Sequence, residues 1–189
     1  MPQDPITYTG HLAGLFARLA AEALTDDVLR RAGGEGVTPA LLSVLECLRR
    51  RGACTVREVA HGLGVSDAAG SQLVGRLEAR RLVLRREDAH DRRRSSLALT
   101  PRGEQLVRRV EAARAERLQR ILGGMDPESR GALVRGLEAF VLSTVDDPET
   151  LAQLCGRCRI PHSPDCVVNR AAVALTGREV GQEWISEPE

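Results

Sequence analysis

The stretch "GVSDAAGSQLVGRLEARRLVLRREDAHDRRRSSLALTPRGEQLV" (residues 64–107) decides the fold that we predict for this chain. Its first part has helical periodicity, with Ser66 as the capping residue. Ala69, Leu73 and Leu77 lie on the face that we expect to be buried. The opposite face carries small and polar side chains, so the stretch begins with an amphipathic helix that exposes hydrogen-bonding groups.

The second part of the stretch predicts a β-hairpin. The segments "LVLRRE" (82–87) and "SSLALT" (95–100) are compatible with strands, and Leu97 and Leu99 fall on one side of the second segment. The arginine-rich sequence "DAHDRRR" (88–94) separates the two segments. We therefore expect a basic, solvent-exposed loop at the tip of the hairpin.

Two more helices are predicted before this stretch. The segment "TPALLSVLECLRRRG" (38–52) has a threonine cap, a proline at the first helical position and a glycine after the last turn. Thr55 caps a short helix, and "GLGV" (62–65) turns the chain into the helix that begins after Ser66. Two short helices joined by a tight turn indicate a helix-turn-helix. With the basic hairpin, the predicted fold is mainly α with a small β-hairpin wing, a winged helix-turn-helix.

Longer helices are predicted on both sides of this lobe, over residues 5–31, 102–122 and 128–145. Their apolar faces are wider than one small domain needs. On the first helix the face consists of Leu12, Leu15, Phe16, Leu19, Ala23 and Leu24. On the last we expect Leu133, Leu137, Phe140 and Val141 to face inward.

Composition restricts the function classes. Only 2% of the 189 residues are aromatic, which argues against modules that stack single-stranded bases on aromatic side chains. The net charge is only +1, yet eight arginines lie between Arg76 and Arg94 against four acidic residues. Such a local basic block is a candidate anion-binding surface. A solvated helix face would show the same pattern.

The sequence shows no targeting signal and no catalytic motif. The first residues lack the basic and apolar regions of a signal peptide, and the apolar runs are too short to span a membrane, so we expect a cytoplasmic protein. A phosphate loop, paired catalytic carboxylates and a G-x-S-x-G motif are also missing. We therefore predict that the chain is not an enzyme.

Residues 5–146 resemble the MarR family of bacterial transcription regulators. The resemblance rests on an ordered set of motifs in which R-L-E ends the recognition helix, D-x-R lies in the wing, and L-x-L-T-x-x-G follows. Here these motifs are residues 76–78, 91–93 and 97–103. The resemblance implies a sequence-specific regulator, most often a repressor, that binds double-stranded DNA.

The DNA-contacting residues follow from this architecture. A recognition helix places polar side chains against base edges in the major groove. The resemblance implies that a wing arginine enters the minor groove, with an aspartate as its brace. The predicted set is Ser66, Ser71, Gln72 and Arg76 on the helix, and Asp91, Arg92, Arg93 and Arg94 in the wing, with Arg93 as the minor-groove residue. The small residues Ala68, Gly70 and Gly75 are expected to let the backbone approach DNA closely, and local packing is the alternative interpretation for each of them.

The resemblance also implies a homodimer with an effector cavity between the dimer interface and the DNA-binding lobe. No small-molecule effector can be named from the sequence. The predicted organisation is an N-terminal dimerisation helix (1–37), a winged helix-turn-helix (38–101), C-terminal dimerisation helices (102–146) and a cysteine-rich extension (147–189).

The extension contains "LCGRCRIPHSPDC" (154–166), with three of the five cysteines of the chain. Cys155, Cys158, His162 and Cys166 follow the pattern C-x2-C-x3-H-x3-C, which suits a metal centre. Zinc and an iron–sulfur cluster fit equally well, and a Cys155–Cys158 disulfide switch is a third interpretation. Asp165 is expected to cap a final helix and to place Cys166 in its first turn.

Three further hypotheses concern the thiols and the arginines. A dithiol redox enzyme that uses Cys155 and Cys158 is one alternative function, and a helical interaction protein that does not bind DNA is another. Cys47 and Cys54 stand alone in the sequence, and we expect each to be a partly buried small side chain.

Overall fold

The computed structural model describes residues 4–33, 36–87, 95–147, 150–151, 154, 163 and 165–179, and most of them are helical. The chain divides into two units, Met1–Leu122 and Gly123–Glu189. Each unit has its own hydrophobic core. None of the described helices is long and apolar enough to cross a lipid bilayer.

The first unit consists of five α-helices and a hairpin. They are α1 (Pro5–Ala21), α2 (Pro39–Arg51), α3 (Val56–Leu63), α4 (Asp67–Ala79), β1 (Val83–Glu87), β2 (Ser95–Leu99) and α5 (Pro101–Gly123). The second unit contains α6 (Pro127–Thr144) and α7 (Val167–Thr176).

Residues 5–33 are helical throughout, as the prediction of a helix over residues 5–31 requires, but they do not form one regular α-helix. The α-helix ends at Ala21, and π-helical turns follow at Glu22–Asp26 and Leu29–Gly33. The sequence "TDD" (25–27) favours the helix weakly, because these side chains compete for backbone hydrogen bonds. The wider turns orient Val28 and Leu29 into the core, where both are buried.

The core of the first unit forms around α2. This helix is capped by the Thr38 hydroxyl, which accepts a hydrogen bond from the Leu41 amide, and it ends at Gly52. Six of its side chains are buried: Leu41, Leu42, Val44, Leu45, Cys47 and Leu48. The five aliphatic ones pack with side chains of α4, β2 and the first half of α5, including Leu77, Leu97 and Val107. The sheet is the predicted antiparallel hairpin, in which Val83 pairs with Leu99 and Arg85 with Leu97.

An ion pair joins three segments of this unit. The Arg114 guanidinium on α5 donates to Glu46 Oε1 on α2 at 3.1 Å and to the Leu24 carbonyl at 2.8 Å. Both charged side chains are mostly shielded from solvent. The arginine thus fixes the π-helical segment against α2 and α5.

Two predictions about the second unit are also wrong. No residue of α6 is buried, and Leu137 and Phe140, which were expected to face inward, are 39% and 61% exposed. The helical pattern identifies the apolar face, of which Leu133 and Val141 are half-buried, whereas Leu137 and Phe140 remain exposed within the described residues of this unit. The cap of α7 is Cys166 rather than Asp165, since the Cys166 sulfur accepts a hydrogen bond from the Asn169 amide at 3.2 Å.

Candidate nucleic-acid interface

The junction between α3 and α4 sets the orientation of the exposed helix. Thr55 and Glu58 form a reciprocal capping box at the start of α3, and Gly64 (φ +67°) makes the left-handed turn that ends it. These hydrogen bonds lower the pKa of Glu58, because the Thr55 amide and hydroxyl both donate to its carboxylate. A carboxylate that stays charged at neutral pH therefore stabilises the first helix of the pair.

Gly70 allows the two helices to pack closely. A β-carbon built on Gly70 would lie 2.8 Å from the Ala60 β-carbon, a separation that side chains do not tolerate. The buried residues of α4 are Gly70, Val74 and Leu77, while Ala69 and Leu73 are half-buried. The buried face of α4 is thus rotated slightly from the predicted face of Ala69, Leu73 and Leu77. Of the two interpretations of Gly70, the structure supports local packing rather than close approach to DNA, since this glycine faces α3.

The polar face of α4 is exposed, as predicted. Ser71, Gln72, Gly75 and Arg76 all lie on the surface, and a β-carbon on Gly75 would meet nothing within 4 Å. Ser66 is exposed too, and its hydroxyl accepts a hydrogen bond from the Ala69 amide at 3.2 Å. The structure therefore brings the four predicted helix residues onto one helix and its cap. Contact between them and DNA stays a prediction.

In the R-L-E motif, the leucine lies in the core and the glutamate forms an ion pair. Leu77 is fully buried, whereas the Glu78 carboxylate accepts a hydrogen bond from Arg85 Nε at 2.9 Å. Arg85 lies on β1, so this pair ties α4 to the hairpin. The sequence alone did not reveal this pairing. Because Arg85 is bound to Glu78, one arginine of the basic block is not free to bind an anion.

The base of the wing is held by Thr100. Its hydroxyl contacts the Arg81 carbonyl at 2.8 Å and accepts a hydrogen bond from the Gly103 amide at 3.0 Å. Arg81 is the only described non-glycine residue with a positive φ, +56°. One hydroxyl therefore stabilises the turn after α4 and starts α5. The predicted wing residues Asp91, Arg92, Arg93 and Arg94 lie outside the described residues.

Three of the four predicted metal ligands, Cys155, Cys158 and His162, also lie outside the described residues. Among the part of the chain that the structure describes, no group of three or more histidine, cysteine, aspartate or glutamate side chains could hold a metal ion. Cys166 is described, and it caps α7 through its sulfur. The predicted ligand Cys166 therefore lies at a helix N-terminus.

A feature that the sequence did not reveal is the contact between Cys47 and Cys54. Both side chains are fully buried, where partial burial was expected. A hydrogen bond between them lowers the pKa of Cys47 and raises the pKa of Cys54. The only indication in the sequence was that a short glycine-containing segment separates the two cysteines.

This lobe has a tightly packed helix pair with one exposed polar helix, a hairpin beside the pair and a basic block across both. Such an arrangement defines a winged helix-turn-helix DNA-binding protein. Residues 35–94 match the sequence profile of the MarR family. A curated relative, the HTH-type transcriptional repressor MdtR of Bacillus subtilis (strain 168), is 32% identical over 117 residues, which cover 62% of this chain and 72% of the relative.

Two solved structures are similar as well. Rv1404 of Mycobacterium tuberculosis has a TM-score of 0.65 at 28% identity, over 76% of this chain and 97% of that one. Bordetella bronchiseptica BpsR, whose DNA binding is regulated by 6-hydroxynicotinic acid, has a TM-score of 0.50 at 27% identity, over 69% and 98%.

The chain belongs to the MarR family of transcription regulators. Members of this family are not enzymes, which confirms that prediction and rules out the dithiol enzyme as an alternative. The predicted fold class is likewise confirmed by the helices, the hairpin and the similar structures.

Proposed function

We propose that this regulator is a repressor that binds a specific DNA duplex as a homodimer, with α4 in the major groove. The observation that carries the proposal is the arrangement of α4, which buries Gly70, Val74 and Leu77 and exposes hydrogen-bonding side chains on the opposite face. The relative MdtR is named a repressor, which supports the direction of regulation.

Each exposed side chain of α4 suits a defined contact. Gln72 can bind adenine through two hydrogen bonds, and Arg76 can bind guanine or a phosphate through its planar guanidinium. Ser71 can meet either a base or the backbone. Because Gly75 leaves open space beside these residues, a base pair can approach the helix without meeting a side chain there.

The wing supplies the second contact in this proposal. Arg93 enters the minor groove, Arg92 and Arg94 contact phosphates, and Asp91 braces the loop. The support comes from the strands, whose register pairs Glu87 with Ser95 and so brings both ends of the loop together. An arginine at such a position recognises groove width and negative potential.

Two unburied helix faces support the homodimer. On α1, Leu12, Leu15, Phe16 and Leu19 follow helical spacing, and each is at least 43% exposed. Exposed apolar side chains on α6 add a second face. Apolar patches of this kind mark association surfaces, and a symmetric dimer would present two recognition helices to two half-sites. The comparison with BpsR supports a small-molecule effector, because that relative responds to one.

The proposal includes a metal centre in the cysteine-rich extension. Zinc or an iron–sulfur cluster is bound there by Cys155, Cys158, His162 and Cys166. Three thiolates and an imidazole are a donor set that fits both choices. Support comes from Cys166, whose sulfur already accepts a backbone hydrogen bond at the start of α7 and so lies where a thiolate is favoured. Val168, Ala171 and Ala172 of the same helix are buried, which gives this ligand a fixed base.

The test is selection of duplexes from a random library by the purified protein, followed by binding titrations at several salt concentrations. We expect enrichment of an inverted repeat and a log–log salt slope that reflects several phosphate contacts. Gln72→Ala and Arg76→Ala should weaken binding of the selected duplex, whereas Arg109→Ala on exposed α5 surface is the matched control. Failure to enrich any sequence would contradict the proposal.

A further inference from the structure

Arg114 lies where two connections of the DNA-binding lobe (α2 to β2) meet. The lobe is joined to the preceding chain by the segment with the π-helical turns, and to the following chain by α5, which begins at Pro101. From α5, Arg114 Nε donates to the Leu24 carbonyl of the first connection at 2.8 Å, and Nη1 donates to Glu46 Oε1 of α2 at 3.1 Å. One side chain therefore holds both connections and the lobe together.

The geometry of these contacts restricts the angles at this junction. The two acceptors belong to segments that are 90 and 68 residues away from Arg114 in the sequence. Because a guanidinium is planar, its two donors have fixed relative directions, and both acceptors must keep their positions for both hydrogen bonds to persist. Only 18% of the Arg114 side chain and 11% of the Glu46 side chain are exposed, so the ion pair is screened less than a surface pair. The contact therefore resists rotation of the three segments against one another.

The surroundings of α5 change at Arg114. Val107 and Val110, which precede it, are buried in the core that includes the lobe. Leu118 and Ile121, which follow it, are exposed. Helix α1, which precedes the first connection, has an exposed apolar face as well. Arg114 thus lies at the boundary between the lobe and helix surfaces that are available to a second copy of the chain.

We propose that Arg114 is a positioning residue that determines which half-site spacing the dimer accepts. This inference rests on the proposed function, because it requires a dimer that binds an inverted repeat through two copies of α4. In such a dimer, the distance and the angle between the two recognition helices depend on how each lobe is held against its own dimerisation helices. Arg114 acts through α2, α5 and the segment before α2, and contacts no DNA itself.

The spacing between half-sites is a sensitive measure of this geometry. One additional base pair between the half-sites rotates the second half-site by about 35° around the duplex axis. A lobe that is held firmly at the junction cannot follow this rotation, whereas a lobe without the hydrogen bonds of Arg114 can. Loss of this side chain should therefore broaden the range of accepted spacings. It should not change which bases are selected within a half-site, because those bases are recognised by α4.

Arg49 provides a matched control on the same pair of helices. It lies on α2 and forms ion pairs with Glu104 at 3.8 Å and with Glu111 at 3.4 Å, both of which lie on α5. Arg49→Ala therefore weakens the contact between α2 and α5 but leaves the hydrogen bond to the Leu24 carbonyl in place. If any loosening of these two helices were sufficient, this variant would broaden the accepted spacing as much as Arg114→Ala does.

The experiment selects an inverted repeat with the full-length parent protein and then measures binding to versions of that repeat with a longer or shorter spacer. A duplex with a single half-site reports the base contacts of α4 alone. The variants are Arg114→Ala, Arg114→Lys and Arg49→Ala, and sedimentation and thermal unfolding establish that each is a folded dimer. Arg114→Lys keeps the charge but lacks the two donors of a planar group, so it provides the comparison if Arg114→Ala does not fold.

We expect the parent to bind the selected spacing about tenfold more tightly than a spacer changed by one base pair, comparable to the effect of one mismatch. This ratio should fall several-fold in both Arg114 variants, while their binding to the single half-site matches that of the parent. Arg49→Ala should keep the ratio of the parent. An unchanged ratio in the Arg114 variants would overturn the proposal, and so would an equal loss in Arg49→Ala or a parent without a spacing preference. Failure of the parent to select any duplex would instead contradict the proposed function.

Discussion

Gly103 lies against the carbonyl of Leu82: a β-carbon built on this glycine would be 2.1 Å from the Leu82 oxygen. The same oxygen accepts a hydrogen bond from the Thr100 amide at 3.1 Å. The first turn of α5 therefore packs directly on the segment that joins α4 to β1. This contact explains the glycine of the L-x-L-T-x-x-G motif as a requirement for space rather than for a special backbone angle.

Gly103→Ala should consequently destabilise the protein by about 3 kcal/mol, because backbone atoms must move to admit the methyl group. Gly75→Ala is the matched control, since it adds the same methyl group to exposed α4 where nothing lies within 4 Å. It should stabilise the helix by about 0.5–1 kcal/mol. Urea denaturation of both variants provides the comparison, and equal effects would refute the packing argument.

Glu58→Gln should reduce stability at neutral pH by about 0.5–1 kcal/mol, a typical value for a helix cap. In the folded protein, the hydrogen bonds from Thr55 hold the pKa of Glu58 below its ordinary value. The stabilisation is therefore complete above the unfolded pKa, about 4.3, and is lost as the pH falls through the lower folded pKa. The difference in stability between parent and variant should shrink as the pH falls below about 4. A difference that persists at acidic pH would contradict a stabilising role for the charge of Glu58.

Arg93→Ala should weaken binding of the selected duplex by about 1–3 kcal/mol, the usual cost of one good groove contact. Arg109→Ala, on the exposed surface of α5, removes the same charge away from the wing and should have a much smaller effect. Fluorescence anisotropy at fixed salt measures both. If Arg93→Ala binds as tightly as the parent, another arginine occupies the minor groove.

Phe16→Glu should convert the dimer to monomers at micromolar concentration, because it places a charge in the middle of the apolar face of α1. Phe16 is 49% exposed in the single chain, so the substitution does not disturb the core. Arg18→Gln, two residues along and on another side of the helix, is the control. Analytical ultracentrifugation distinguishes the two states, and a Phe16→Glu variant that remains dimeric would place the interface elsewhere.

Cys155→Ser, Cys158→Ser and Cys166→Ser should each abolish binding of one metal centre per protomer. His162→Ala should weaken it less, because water or a carboxylate can replace one imidazole. Metal analysis and absorption spectra of anaerobically purified protein measure the effect and distinguish zinc from iron–sulfur. Cys47→Ala is the control that should retain the metal. A parent protein without metal would leave the Cys155–Cys158 disulfide as the remaining interpretation.

The winged helix-turn-helix could be predicted from the sequence because its signals are local. The hydroxyls of Thr38, Thr55 and Ser66 were all predicted as caps, and each accepts a hydrogen bond from the amide three residues later. A cap and a short apolar period depend on a few neighbouring residues. They do not depend on how distant segments meet.

Relationships between distant segments could not be predicted in this way. The pairing of Cys54 with Leu97 joins positions far apart in the chain, and it decides where the Cys54 side chain lies. The apolar periodicity of α6 correctly marked one face but could not show that Phe140 remains exposed within its unit. The wing and most of the cysteine-rich loop lie outside the described residues, so the roles of Arg93 and Cys155 rest on the sequence.

The two halves of α5 have different surroundings, and this gives the helix a mechanical role. Leu106, Val107 and Val110 fix its first half in the core beside the hairpin, while Leu118 and Ile121 near its end are exposed. A helix of this length extends about 34 Å, so a tilt of about 6° displaces its end by about 3.4 Å, the rise of one base pair. If a partner surface holds the second half of α5, a small tilt of the helix at that surface displaces the DNA-binding lobe at the other end by about one base pair along the DNA.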